Sequence, residues 1–347
     1  MRSFINLSTA AAAILLIHVA AFSQWERQAV KTDASFRGLA VVNEKVAWAS
    51  GTGGTVIRTV DGGRNWQVIT VPDAEKLDFR DIEAFDQFTA FILSIGNGDN
   101  SRIYKTIDGG NTWQLQFTNT DPKRFFDAIA CWDRRRCIAM SDPVDGFFLL
   151  FETSDGNTWK LLPIFTSQKA SAGEAAFAAS GTCLIVSGKS DLWMVTGGTD
   201  ARVLRQSSWP DAIVPADLAV RSFGFINGTA GSGIFSIAMF DEDNGVVVGG
   251  NYEKPAEHTK NLALTTDGGK TWNLGNGLNG YRSGVTYVDR HTIIAVGTNG
   301  SDISRDGGKT WKGLDKENYN AVQAKGRRAV WAVGPKGIVA KLSPSPL

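Results

Sequence analysis

Apolar and polar positions exchange along this chain every few residues. Short runs rich in β-branched and aromatic side chains include Thr55-Val56-Ile57, Cys183-Leu184-Ile185-Val186 and Ala329-Val330-Trp331-Ala332-Val333. Clusters of Gly, Asp, Asn and Ser separate them. Runs of this length between turn residues predict β-strands joined as hairpins. One phrase punctuates the runs five times. It reads Thr59-x-Asp61-Gly62-Gly63-x-Asn65-Trp66, then Thr106-x-Asp108-Gly109-Gly110-x-Thr112-Trp113, then, one residue shorter, Thr153-x-Asp155-Gly156-x-Thr158-Trp159. Full copies return at Thr265-x-Asp267-Gly268-Gly269-x-Thr271-Trp272 and Ser304-x-Asp306-Gly307-Gly308-x-Thr310-Trp311.

The residue types of the phrase explain themselves as a turn. Adjacent glycines supply the positive φ of a tight connection. The Asp carboxylate accepts hydrogen bonds from the turn's own amides. The Trp opens the next strand and offers a large ring to pack beneath the turn. Asp61, Asp108, Asp155, Asp267 and Asp306 are therefore read as structural, as are Trp66, Trp113, Trp159, Trp272 and Trp311, rather than as calcium ligands or acid–base groups. The phrase resembles the Asp-box, the bacterial neuraminidase repeat. That resemblance implies outer hairpins lying away from the functional face.

Successive aspartates lie 47, 47, 112 and 39 residues apart. A β-rich unit recurring at this spacing predicts a β-propeller. The long step holds a unit that has lost its phrase, with strands expected at Gly173-Glu174-Ala175-Ala176-Phe177, at Cys183-Leu184-Ile185-Val186 and at Ala201-Arg202-Val203-Leu204-Arg205, ending at Ser207-Ser208-Trp209. The last unit stops one strand short, and Trp25 to Val30 reads as the missing strand. The expectation is an all-β, single seven-bladed propeller over residues 24–347 whose ring is closed by the N-terminal strand, with six or eight blades as alternatives. Closure removes sheet edges that would otherwise pair with other chains.

Residues 1–23 differ. Arg2 precedes an apolar stretch from Ala10 to Phe22, and Ala21-Phe22-Ser23 fits a small-x-small cleavage site, which predicts a secretory signal peptide. An uncleaved anchor is the alternative. No other segment is long and apolar enough for a span, so an exported, periplasmic or extracellular protein is expected. Loss of Arg2 leaves 35 basic against 35 acidic residues, which argues against nucleic acid as partner. Cys131 and Cys137 flank a proposed turn and can pair in an oxidising compartment; unpaired thiols are the other reading. Three His and no Cys-x-x-Cys give no metal site, and no cofactor is expected.

Propellers bind ligands where their inner strands begin. Aligning those starts places Arg37, Arg80, Glu174, Arg282 and Asn320 in equivalent positions, with Asp81 and Asp127 beside them. Arg282, Asn320, Arg37 and Arg80 should form one arc facing Glu174. Converging guanidiniums suit carboxylate, phosphate or an acidic peptide; the other reading is hydrated channel residues paired with Asp81, Asp127 or Glu174. The loop from Trp209 to Gly233 is a candidate lid.

The units Ala47-Trp48-Ala49-x-Gly51-x-x-Gly54 and Val330-Trp331-Ala332-x-Gly334-x-x-Gly337, each set in this repeat frame, resemble those of the photosystem II stability/assembly factor-like family. The resemblance spans most of residues 25–342. It implies a non-enzymatic propeller that holds a protein client, in that family a membrane-protein assembly intermediate, through a basic patch. Read onto this chain, it implies a scaffold for an acidic protein segment or other anionic ligand, and a monomer is expected. Two further classes stay open: a structural interaction module of a surface assembly, and a glycoside hydrolase of sialidase-like or endoglucanase-like type acting on a carbohydrate. The sialidase Phe-Arg-Ile-Pro motif is absent, Phe36-Arg37-Gly38-Leu39 being the nearest match.

Overall fold

In a computed structural model, residues 24–163, 169–207, 209 and 218–343 are described. The segment read as a signal peptide lies outside them. The chain forms seven antiparallel sheets arranged as the blades of a β-propeller. The first blade shows the pattern: Phe36–Val41 innermost, then Ala47–Gly51, Thr55–Thr59 and Gln67–Thr70. The inner strands of all seven blades pack in a closed ring: Phe36–Val41, Phe79–Ala84, Phe126–Cys131, Leu184–Ser187, Ser232–Met239, Gly284–Tyr287 and Ala321–Ala324.

Trp25–Arg27 completes the seventh blade by pairing with Val339–Leu342. The Trp25 ring is buried beside Tyr319 with centroids 5.3 Å apart, and its Nε1 donates to Ser301 Oγ of the sixth blade at 3.0 Å. One residue thus closes the ring and ties two blades together.

The fourth blade departs from the sequence reading. Its strands are Leu184–Ser187, Asp191–Val195, Val203–Gln206 and Leu218–Arg221. Glu174–Ala175 is not its inner strand; it pairs with Gly197–Gly198, which in turn bonds to Ser232–Met239 of the fifth blade. Two features mislead. Ser207 to Trp209 imitates a decayed turn phrase, and the true outer strand sits inside the stretch taken as a long loop.

The five repeated turns join third and fourth strands. In the first, Thr59 Oγ1 donates to Asp61 Oδ1 at 2.9 Å, and Oδ1 and Oδ2 accept the Asn65 backbone and side-chain amides at 2.9 and 2.7 Å. The same net recurs around Asp108, Asp155, Asp267 and Asp306. The Trp that follows packs between blades as well as against its own turn, where Trp311 Nε1 donates to the Gly308 carbonyl at 2.9 Å. Trp66 meets Trp331 of the seventh blade edge-on at 5.3 Å, and Trp159 meets Phe91 of the second at 6.2 Å. The second glycine has a matching cause. At Gly63, with φ of 94°, an added Cβ would lie 2.3 Å from the Trp331 ring; at Gly269 it would lie 2.6 Å from Trp193. Where it occurs, the phrase therefore docks its blade against the preceding one.

Register places these turns at the end of the ring opposite the start of the inner strands, since Thr59 lies across from Ala47 and Ala47 from Val41. Cys131 and Cys137, joined in a disulfide, lie at that same end, as does the Arg134-Arg135-Arg136 tip. Among the described residues no helix is long and apolar enough to cross a membrane.

Because Trp25 fills a buried slot at the closure, Trp25→Ala is expected to lower the unfolding free energy by about 3–5 kcal/mol. Equilibrium denaturation of the two proteins measures this. A loss below about 1 kcal/mol would show that closure does not depend on the ring.

Candidate functional site

A backbone irregularity builds the mouth of the ring. In the first blade Phe36 pairs with Gly51 and Gly38 with Ser50, leaving Arg37 as an extra residue. The same slip leaves Arg80 in the second blade, Asp127 in the third and Phe235 in the fifth. A bulge bends its strand and re-aims the extra side chain. All four bulged residues line one funnel of about 460 Å³, together with Asp142, Tyr281, Ser283, Asn320 and the rings of Phe125, Phe177 and Tyr252. The sequence alignment is off by one in the third blade, where consecutive phenylalanines disguise the register. Phe126-Asp127-Ala128 is the true equivalent of Phe36-Arg37-Gly38.

A strap, residues 176–180, runs into this funnel. The Ala176 N–H donates to Asp142 Oδ1 at 2.9 Å, and Ser180 Oγ donates to the Ser283 carbonyl at 2.7 Å. The Phe177 ring lies flat on Phe235, with centroids 3.8 Å apart. Arg37 Nη1 donates to the Ala179 carbonyl at 3.2 Å and Arg80 Nη1 to the Ala178 carbonyl at 3.3 Å. Arg80 also pairs with Asp78 at 2.8 Å, whereas no carboxylate pairs with Arg37 among the described residues. Burial first, then the neighbouring Arg80 charge, lowers the pKa of Arg37; an arginine stays cationic regardless.

The carboxylates divide into three roles. Asp127 is 1% exposed, and neither of its oxygens has a hydrogen-bond partner among the described residues. The Asp142 backbone N–H beside it is committed to the Phe125 carbonyl at 2.9 Å. Burial and the Asp142 charge push the Asp127 carboxyl well above the usual range, and burial pushes Asp142 up to about 6. Asp81 lies outside the lining. Its oxygens accept the Ile82 and Ile129 amides at 2.8 and 2.7 Å, stitching the second blade to the third. Burial outweighs those two donors and raises it to about 7.

Glu174 is taken up elsewhere. It accepts Arg202 Nε at 2.7 Å and Nη2 at 2.6 Å, and also the Thr196 hydroxyl at 2.6 Å. This buried fork anchors the stem of the strap and takes Glu174 out of any site facing the arginines.

Arg282 also departs from the expected arc. It is 1% exposed and grips Asp302 through Nε and Nη2 at 2.7 and 2.6 Å. Asn320 does line the funnel, but its Nδ2 donates to the Phe36 carbonyl at 2.8 Å, joining the seventh blade to the first. The structure thus brings together Arg37, Arg80, Asp127 and Asn320 and excludes Arg282, Glu174 and Asp81. Sequence reasoning missed Asp142, Phe177 and Tyr252, which fall at no repeated position. The loop from Trp209 to Gly233 contributes no lining residue among those described.

No family model matches the sequence, and no curated protein matches it. Solved structures do resemble it in fold. A YCF48 bound to D1 peptide superposes with a TM-score of 0.67 at 15% identity, covering 92% of this chain and 97% of that one. YCF48 from Cyanidioschyzon merolae gives 0.62 at 15%, covering 92% and 99%. The Niastella koreensis GH74 enzyme gives 0.61 at 14%, covering 92% of this chain and 54% of its own length. At these identities the likeness is one of fold.

Two outcomes follow from the buried charges. Arg282→Ala leaves Asp302 buried without its counter-ion and is expected to cost about 3–5 kcal/mol of stability. The Arg37→Ala, Arg80→Ala pair should cost less than about 1 kcal/mol, near the level of exposed ion pairs. Denaturant titration distinguishes them. Stability should also depend on pH in two windows. Asp81 and Asp142 titrate above their unfolded value of roughly 4. Their contribution is complete below pH 4 and lost as pH rises toward about 7. The turn carboxylates of Asp61 and Asp108, held down to about 2 by hydrogen bonds from Asn65 and Thr112, lose their contribution as pH falls from 4 to 2. The melting temperature should therefore peak near pH 4. Asp127→Asn should raise it at pH 8, where a flat profile or an unchanged mutant would contradict this assignment.

Proposed function

We propose that this chain is an exported, non-enzymatic binding propeller that holds an anionic segment of a protein client at its funnel. The observation that carries the reading is the pair Arg37 and Arg80. Two guanidiniums are aimed into one cavity by equivalent bulges, and Arg37 has several donors free for a carboxylate. The turn phrase, read as an Asp-box, and the repeat pattern shared with the photosystem II stability/assembly factor-like family support the same reading. So does the fold likeness to a YCF48 bound to a peptide. Residues 1–23 support export.

The glycoside hydrolase reading would rest on Asp127 and Asp142. Endoglucanase-like cleavage uses carboxyl groups that flank the scissile bond. A sialidase-like site uses a Tyr nucleophile with an arginine triad, which here lacks Arg282 because Asp302 holds it. Asp127 and Asp142 both belong to the third blade, and the lining residues from the fifth, sixth and seventh blades supply no carboxylate. The geometry favours binding.

The test is capture of envelope proteins by the mature chain after cross-linking, read by mass spectrometry, with Arg37→Ala/Arg80→Ala as the comparison. Arg282 stays unaltered because it holds the fold. A client recovered by the wild type and depleted at least tenfold with the folded double variant is the expected result. Equal recovery by both proteins would remove the arginine site. Hydrolysis of sialosides or β-glucans by the wild type, lost in Asp127→Asn, would replace binding by catalysis.

A further inference from the structure

The arginines account for one end of the funnel's chemistry; Asp127 and Asp142 have no counterpart in an anion site. Asp127 is buried, carries two oxygens without partners among the described residues, and lines the cavity. Asp142 lies beside it with one oxygen on the Ala176 amide. Arg80, whose charge Asp127 senses, holds Asp78 and the Ala178 carbonyl instead. A carboxyl in such surroundings is held in its neutral form, and a cation seated beside it supplies the counter-charge that lets it ionise.

What would pair with it follows from the walls. Two carboxylates offer too few oxygens for calcium, which takes six to eight, and no group of three or more metal-binding side chains occurs among the described residues. Phe125, Phe177 and Tyr252 line the same cavity. Aromatic faces with carboxylates recognise organic cations by hydrogen bonding and by cation–π attraction. A funnel of about 460 Å³ holds a side chain of lysine size.

We infer that the funnel contains an ammonium pocket formed by Asp127 and Asp142, so that the ligand is dipolar: a peptide segment presenting a primary amine to these carboxylates and a carboxylate to Arg37 and Arg80. The ammonium pocket is defined by its own residues; the dipolar ligand rests additionally on the arginine reading. The amine comes from a lysine side chain or from a free small amine, and the two sources share this chemistry.

Thermal unfolding at pH 7.5 with rising n-butylammonium chloride tests the pocket directly, with sodium chloride and n-butanol as controls. A ligand that binds only the folded state raises the melting temperature. Wild type should show a saturating rise with n-butylammonium alone. Asp127→Asn, which removes the charge without changing shape, should need at least tenfold more amine for the same rise. The comparison uses only the wild type and Asp127→Asn, both with the arginines intact, so failure of the arginine site leaves this result standing. No rise in the wild type up to 100 mM, or equal rises in wild type and Asp127→Asn, would overturn the pocket. Titration calorimetry then separates the sources. If the site takes lysine, a short acidic peptide containing one lysine should bind wild type at least tenfold more tightly than its norleucine counterpart, and the two should bind Asp127→Asn alike. Equal binding of both peptides to a wild type that responds to n-butylammonium would assign the pocket to free amines and overturn the dipolar peptide.

Discussion

Closure of the ring is the constraint on which this molecule depends. Each of the seven sheets keeps its own edges, and the ring holds together because the two ends of the chain share one blade: three residues, Trp25–Arg27, make that join. Once closed, the inner strands are laced from blade to blade by side chains bonded to a neighbour's polar groups. Asn320 bonds to Phe36, Ser50 to the Asp81 carbonyl, Asp81 to Ile129, Thr182 to Ser236 and Ser283 to Asn320. Fully satisfied networks of this kind rigidify a core. The mouth takes its shape from the whole circle rather than from any blade alone.

The funnel is where local rules are broken. The inner strands slip by one residue at Arg37, Arg80, Asp127 and Phe235. Close approach makes the slip specific: a Cβ on Gly38 would lie 2.8 Å from the Asp81 backbone. Buried carboxylates with raised affinity for protons accompany it. Such departures cost stability and cluster at functional sites.

Much of the fold was legible because the repeated turn writes its own chemistry into the chain. Asp61, Gly63 and Trp66 mark a strand boundary as clearly as a structure does, and Trp25 announced a strand without a partner. The fourth blade was not legible, since its outer strand follows no marker and Glu174 answers to Arg202, 28 residues away, rather than to a sheet. For the site, position within the repeat located Arg37 and Arg80 but could not tell them from Arg282. That distinction lies with Asp302, a residue on a different strand whose proximity only folding reveals. Asp142 and Phe177 were invisible for the same reason. They enter the funnel by the path of the strap and the pairing of the third blade, neither of which repeats.

The strap has a consequence for how a ligand would meet this mouth. By accepting from both guanidiniums it fixes their rotamers before anything binds, and a free arginine holds about 2 kcal/mol of side-chain entropy. That ordering is completed during folding, so it adds nothing to the cost of association. Recognition here needs little rearrangement of the protein, and the loss of freedom on binding falls on the partner.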